Sequence, residues 1–229
     1  RAQKDLFGQA QPGLFETAFA TASGDAIVSS DLLNTVLSAS GTLATVFPNT
    51  TAGNQLRMAA RLIAASPTLG LKRQIFFVQL GGWDLHASQV VNSDPVTGAH
   101  ANLFSQISQA IDAFYKATVE LGIANQVTTF TASDFGRTFR SNGDGSDHGW
   151  GSHHFIVGGA VQGQRYYGTF PAMGLNNNDE VGSGRLLPST SVDQYAATLA
   201  RWFGVSESNL GLVVPNIGGF ATSNLGFMG

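Results

Sequence analysis

Two short clusters of polar side chains contain most of the residue types in this chain that can do chemistry. The first cluster is Asp84 and His86, which follow a Gly-Gly-Trp tripeptide at the end of an apolar run, residues 74–80. Side chains two positions apart in an extended segment point to the same side, so these two can reach one ion. Carboxylate and imidazole at this spacing predict one half of a metal site.

The second cluster follows another apolar, β-branched run, residues 126–131, and contains Asp134, Arg137, Asp147, His148, His153 and His154. Ligands in open α/β sheets collect at the carboxyl ends of the strands, so the two clusters are expected to meet. We therefore predict that Asp84, His86, Asp134, Asp147 and His148 surround a divalent cation. Imidazole with carboxylate favours Zn²⁺ or Mn²⁺, whereas Mg²⁺ and Ca²⁺ prefer oxygen ligands alone.

Several of these residues also have a structural interpretation. Asp84 and Asp134 can each accept backbone N–H groups in a turn, as aspartates at strand ends often do. Arg137 is either a salt-bridge partner of a loop aspartate or a fork for an anionic substrate oxygen. His153 and His154 are adjacent at a strand start and point to opposite faces, so at most one faces the site. We assign His153 as a metal ligand or an acid/base.

Composition excludes several classes of function. The chain has 229 residues, a net charge of −3 and no basic stripe, so a nucleic-acid partner is not expected. No apolar run approaches the roughly 18–20 residues of a membrane span. The absence of cysteine excludes disulfides and thiolate ligands. Many Thr, Ser, Asn and Gln residues with few Lys favour an exported protein, periplasmic or extracellular, and the first residue, Arg1, suggests a processed or truncated chain.

Hydrophobic periodicity predicts an α/β fold, a mostly parallel sheet with helices on both faces. Strands are predicted at 71–80, 126–131 and 155–161, and a crossover helix at 99–122. Residues 1–229 form a single α/β domain or the C-terminal part of a larger one, with an irregular lead-in over 1–30 and a strand–helix–strand core over 71–161. Further helices are predicted at 31–47, ending near Gly41, at 54–66, and at 190–203, where Ser191 and Gln194 form a capping box.

Four motifs in combination resemble the DUF1501 family, exported bacterial proteins often described as sulfatase-like. They are GGWDLH, SDFGRT, SDHGWGSHH and SVDQYAATLARWFG, and the resemblance covers roughly residues 70–228. The family is placed with the alkaline-phosphatase-like superfamily, which implies that fold, two metal ions and a phosphate or sulfate ester substrate. By this resemblance Asp84 and His86 are similar to the ligand pair of one metal, and Asp134 to the aspartate of the other.

Two departures from the family pattern matter. Phe135 stands where the superfamily has a ligand histidine, so either His148 or His153 substitutes or the second metal is lost. Family members are usually longer at the N-terminus, which implies a chain incomplete there, either completed by a separate N-terminal polypeptide or an incomplete relic. The sequence therefore supports two hypotheses: a metal-dependent hydrolase whose nucleophile is not identified, or a secreted structural or binding module without turnover.

Overall fold

The structure, a computed structural model, describes residues 5, 7, 9, 13–39 and 41–229. The chain divides into two compact units. One unit contains Arg1–Leu43 and Met58–Ile75, and the other contains Ala44–Arg57 and Phe76–Gly229. All of the predicted site residues lie in the second unit.

The first unit is helical. Helix α1 spans Leu14–Ala39, and helix α2 spans Thr51–Leu69, with its second half in this unit. The prediction of an irregular lead-in is wrong from Leu14 onward, because alanine and other helix-compatible residues dominate residues 14–30. Residues 1–12 lie mostly outside the described part of the chain.

Helix α2 is longer at both ends than the sequence predicts. It begins three residues before Asn54, where the Thr50 side chain accepts the backbone N–H of Gly53 at 3.1 Å. It also continues past Pro67, although proline lacks the N–H that a helix interior needs. The hydroxyl of Ser66 donates to the carbonyl of Ile63 at 2.7 Å and so satisfies the acceptor that Pro67 leaves unpaired.

The predicted parallel sheet is wrong. Residues 71–80 have the sequence pattern of a strand, but they pair with no strand among the described residues. The strands form two small antiparallel sheets instead: β1 (Thr128–Phe130) pairs with β4 (Ile156–Gly158), and β2 (Gly136–Ser141) pairs with β3 (Ser146–Gly149). The β2–β3 hairpin forms inside the predicted polar loop, where the glycine-containing residues 142–145 reverse the chain. The fold is therefore not the mostly parallel, alkaline-phosphatase-like sheet that the sequence suggested.

Two helices of the second unit agree with the predictions. Helix α3 spans Ala99–Glu120 and buries Phe114 together with four small residues. Helix α4 spans Val192–Phe203, and Ser191 and Gln194 form both bonds of the capping box before it. A short helix α5, Glu207–Val213, follows in the tail, and its Leu210 packs in an apolar cluster with Ala197, Val214 and Ile217.

Among the described residues, no helix combines the length and apolar character that crossing a membrane requires.

Candidate metal centre

Three side chains from the two predicted clusters converge at one point. The Oδ1 atom of Asp84 lies 3.0 Å from Nε2 of His86 and 2.7 Å from Nε2 of His148. One potential ligand atom from each residue lies within 4.8 Å of the other two. The predicted meeting of the two clusters is therefore present, although no parallel sheet brings it about.

Backbone contacts hold the segment that contains Asp84 and His86 against the β2–β3 hairpin. The backbone N–H of Ser146 donates to the carbonyl of Leu85 at 3.3 Å, and the N–H of Gln89 donates to the carbonyl of Asp144 at 2.8 Å. Gly145 is buried at this contact, and a Cβ atom there would collide with the carbonyl of His86. Only glycine permits this close approach, which brings His86 and His148 to the same ion-sized space.

Asp147 contacts His86 on the side of the ring that faces away from Asp84. Its Oδ1 lies 3.1 Å from Nδ1 of His86 and accepts a hydrogen bond from the amide of Asn142 at 2.7 Å. A proton on Nδ1 leaves the lone pair of a neutral His86 on Nε2, which faces the Asp84 carboxylate. Two lone pairs facing each other at 3.0 Å repel unless a proton or a cation lies between them. Either a proton or a bound cation between Nε2 and Oδ1 therefore completes the arrangement.

Aromatic stacking fixes the plane of the His148 ring. The Phe135 ring lies parallel to it, with 3.9 Å between centroids and 2° between planes. His148 also stacks on His86, with 5.0 Å between ring centroids. Phe135, which the sequence analysis treated as a missing ligand, therefore has a positive role as a support for a ligand histidine.

The side chain of Arg137 makes its polar contacts with groups of the protein itself. It is the cross-strand partner of His148 in the hairpin, and its side chain is only 15% exposed. Its guanidinium donates to the carbonyls of Ser146 and Trp83 and lies 3.4 Å from Oδ1 of Asp84. Of the two alternatives, this geometry favours the salt-bridge partner over the substrate fork.

Both carboxylates of the site are kept ionised by their neighbours. The pKa of Asp84 is lowered, chiefly by the hydrogen bond with His148; desolvation, the next largest effect, opposes the shift, and the charges of His148, His86 and Arg137 add to it. The pKa of Asp147 is lowered first by the hydrogen bond from Asn142 and then by that from His86. Ionised carboxylates are the form that binds metal.

The remaining candidates lie outside the converging group. Asp134 is exposed and is not among the three residues that could share an ion. His153 is also exposed, and its ring packs against Phe170 at 4.9 Å. His154 stacks on Tyr195 at 5.7 Å, and burial lowers its pKa. Within the described part of the chain, the geometry therefore offers one ion site, built from Asp84, His86 and His148, with Asp147 behind it.

The donor set fits zinc in number and type. Nitrogen and oxygen ligands held about 2.0–2.1 Å from a tetrahedral ion lie about 3.3 Å from one another. The two Asp84–histidine distances, 3.0 and 2.7 Å, are shorter than this spacing by about 0.3 and 0.6 Å, so ion binding would widen both. Three protein ligands leave a fourth position for water or substrate, as in catalytic rather than structural zinc sites.

Sequence reasoning missed three contributors to this site. Asn142, which is not among the predicted site residues, orients Asp147 through a hydrogen bond. Phe135 and Gly145 were not recognised as parts of the site. The glycine between two polar residues was the one feature that could have indicated a close backbone approach.

Comparison with known proteins gives one result. A family model described as "Protein of unknown function (DUF1501)" matches residues 20–210, which is most of the chain and begins well before the motifs that carry the resemblance. No curated protein and no solved structure matches the chain.

Proposed function

This chain belongs to the DUF1501 family, and from its site geometry we propose that it is a metal-dependent hydrolase acting on a phosphate or sulfate ester. The observation that carries the proposal is the convergence of Asp84, His86 and His148 on one ion-sized space. We propose Zn²⁺ as the ion, with Mn²⁺ as the alternative, because two of the three ligands are imidazoles.

The position of the site suits turnover. All three ligand side chains are exposed, so water and substrate can reach the open fourth position. A bound zinc ion lowers the pKa of its water to about 7 and stabilises negative charge that develops on the reacting group. Asp147 and Asn142 orient His86, and Phe135 orients His148, so the protein holds two of the ligands before the ion arrives.

The charges around the site support an anionic ester. A divalent cation bound by one carboxylate and two neutral imidazoles retains a positive charge, and the guanidinium of Arg137 lies beside Asp84. Asp147 offsets part of this charge from behind His86. A phosphate or sulfate oxygen is therefore attracted to the open position, although Arg137 itself contacts Asp84 rather than a substrate.

The experiment combines zinc binding with turnover. Titration of metal-free protein should give one zinc ion per chain, and the zinc form should hydrolyse p-nitrophenyl phosphate or p-nitrophenyl sulfate. His148→Ala should lose both properties, whereas His153→Ala, which removes an exposed histidine outside the group, should keep both. The proposal fails if zinc does not bind, or if the two variants behave alike.

One observation favours a second function, a non-catalytic module stabilised by its ion. The ligands come from two segments more than sixty positions apart in sequence, so an ion would cross-link the Asp84 segment to the hairpin whether or not chemistry follows. An ion that binds the folded state and not the unfolded state raises the free energy of unfolding by mass action. Zinc that raises the melting temperature while both aryl esters stay intact would support this function against the hydrolase.

We also propose export to the periplasm or the extracellular space, supported by the many Thr, Ser, Asn and Gln residues and the few Lys residues. A separate N-terminal polypeptide remains a proposed partner, and mass spectrometry of native material for a companion chain tests it.

A further inference from the structure

The sequence predicts a strand over the apolar segment Phe76–Leu80, but in the structure this segment pairs with no other strand among the described residues. The segment runs without helix, turn or bend, and exposure alternates from one residue to the next. Phe77 is 88% exposed. Among the described residues, the backbone groups of Phe76, Phe77, Val78 and Leu80 form no hydrogen bond. An extended segment with unpaired backbone groups and apolar side chains is a template for strand addition.

A side chain occupies one edge of this segment at Gln79. The backbone N–H of Gln79 donates to the side-chain Oε1 of Gln55 at 3.1 Å, and the Gln79 carbonyl accepts from Nε2 of the same side chain at 3.0 Å. Both backbone groups of one residue in a strand point to the same edge, and successive residues alternate between edges. The opposite edge therefore presents the backbone groups of Phe76, Val78 and Leu80.

We infer that this open edge pairs with the same edge of a second copy of the chain, as an antiparallel two-stranded ribbon centred on Val78. In that register Val78 faces Val78 of the partner, and Phe76 faces Leu80 in both directions. Every pair on the edge is apolar, and about six backbone hydrogen bonds form. Both copies use the same edge, so the contact is isologous and is satisfied at two copies.

Charge and exposure both select the antiparallel direction. Lys72 and Arg73 precede the segment, no charge lies within it, and the first charge after it is Asp84. A parallel pair would bring the cations of both copies together, whereas an antiparallel pair places them at opposite ends of the ribbon. It also places the two exposed Phe77 rings as diagonal cross-strand neighbours, which are within reach for aromatic side chains.

Analytical ultracentrifugation over a range of concentrations tests the pairing. The wild-type chain should show a reversible monomer–dimer equilibrium. Phe77→Lys removes the aromatic contact and places like charges near each other, so it should weaken dimerisation about tenfold or more. Leu212→Lys is the matched control, because Leu212 on α5 is 81% exposed and lies outside the segment, and it should leave the equilibrium unchanged.

Amide hydrogen exchange gives a second, residue-level readout. On dimerisation the amides of Phe76, Val78 and Leu80 should become protected, while that of Phe77, which points to the other edge, should not. A wild-type chain that stays monomeric, or open-ended aggregates instead of a dimer, would overturn the proposal. Equal weakening by Phe77→Lys and Leu212→Lys would also overturn it, because association would then be non-specific.

Discussion

The Nδ1 atom of His86 lies 3.1 Å from Oδ1 of Asp147, while Nε2 of the same ring lies 3.0 Å from Oδ1 of Asp84. One imidazole therefore connects an inner carboxylate to an outer one. Outer carboxylates of this kind fix the tautomer of a metal-binding histidine and raise its basicity. Asp147, predicted from the sequence as a ligand, lies instead behind His86, against its Nδ1 atom.

Asp147→Ala should weaken zinc binding without abolishing it. Removing such an outer carboxylate typically reduces metal affinity about 10- to 100-fold. Competition with a chromogenic zinc chelator measures the dissociation constant of the variant. Asp134→Ala is the control, since Asp134 is exposed and outside the converging group, and its affinity should match the wild type. A larger loss from Asp134→Ala than from Asp147→Ala would contradict the assignment of both residues.

Phe135 should contribute to zinc affinity through the orientation of His148. Its ring is parallel to the imidazole at 3.9 Å, and the guanidinium carbon of Arg137 lies 5.0 Å from the centre of the same ring. Stacked aromatic pairs contribute about 0.5–1.5 kcal/mol beyond the apolar area they bury. Phe135→Leu should thus weaken zinc binding about twofold to tenfold. Phe135→Tyr retains the stack and should bind like the wild type; an affinity loss equal to that of leucine would rule out the stacking effect.

Glu120 should make the stability of the second unit depend on pH. Its carboxylate accepts hydrogen bonds from the hydroxyl of Thr45 at 2.6 Å and from the backbone N–H groups of Ala44 and Thr45 at 2.7 and 2.8 Å. These bonds, the Thr45 hydroxyl first, lower the pKa of Glu120 below its ordinary value of 4.5. The stabilisation is therefore present above that value and is lost as pH falls through the lowered pKa.

Denaturant unfolding of the wild type and of Glu120→Gln at neutral and acidic pH measures this effect. The variant should be less stable at neutral pH, and the difference should shrink in acid, where both side chains are uncharged. Thr45→Val removes the strongest of the three bonds and should reduce the pH dependence. A wild-type advantage that stays constant across the pH range would show that the Glu120 charge does not matter.

The capping box of α4 should stabilise the chain measurably. The Ser191 hydroxyl accepts the backbone N–H of Asp193, and the Gln194 side chain accepts the N–H of Ser191, both at 3.0 Å. Ser191→Ala should therefore lower the free energy of unfolding by about 1 kcal/mol, the typical cost of replacing such a cap by alanine. Ser206→Ala at the start of α5 is the control, because the Ser206 side chain makes no cap bond. Equal losses from both variants in chemical denaturation would contradict a capping role.

Local patterns predicted the parts of this protein that depend on neighbouring residues. The cap at Ser191 and the helix Ala99–Glu120 each depend on residues that are close together in sequence. Both predictions are confirmed. The sheet was mispredicted because an apolar run such as residues 71–80 does not specify which strand, if any, pairs with it. The two-residue spacing of Asp84 and His86 correctly predicted that they lie together. It could not predict that His148 rather than Asp134 joins them, because that depends on how the hairpin folds.

Gly145 should prove necessary for the metal centre although it has no side chain to offer. It is buried where the hairpin meets the backbone of His86 and Ala87, and any Cβ atom there would overlap both. Gly145→Ala must therefore push the segment that contains Asp84 and His86 away from His148. Overpacking of this kind costs about 1–3 kcal/mol of stability. Because the displaced groups are ligands, zinc affinity should fall as well.

Gly163→Ala separates this steric effect from the general cost of replacing a glycine. No atom lies within 4 Å of a Cβ atom built at Gly163, so its substitution should leave both stability and zinc affinity near wild type. Thermal melts and chelator competition on the two variants, each with and without zinc, give the comparison. If Gly145→Ala melts lower but binds zinc normally, the contact stabilises the hairpin without positioning His86. If it binds more weakly in both assays, the glycine sets the distance between the two halves of the site.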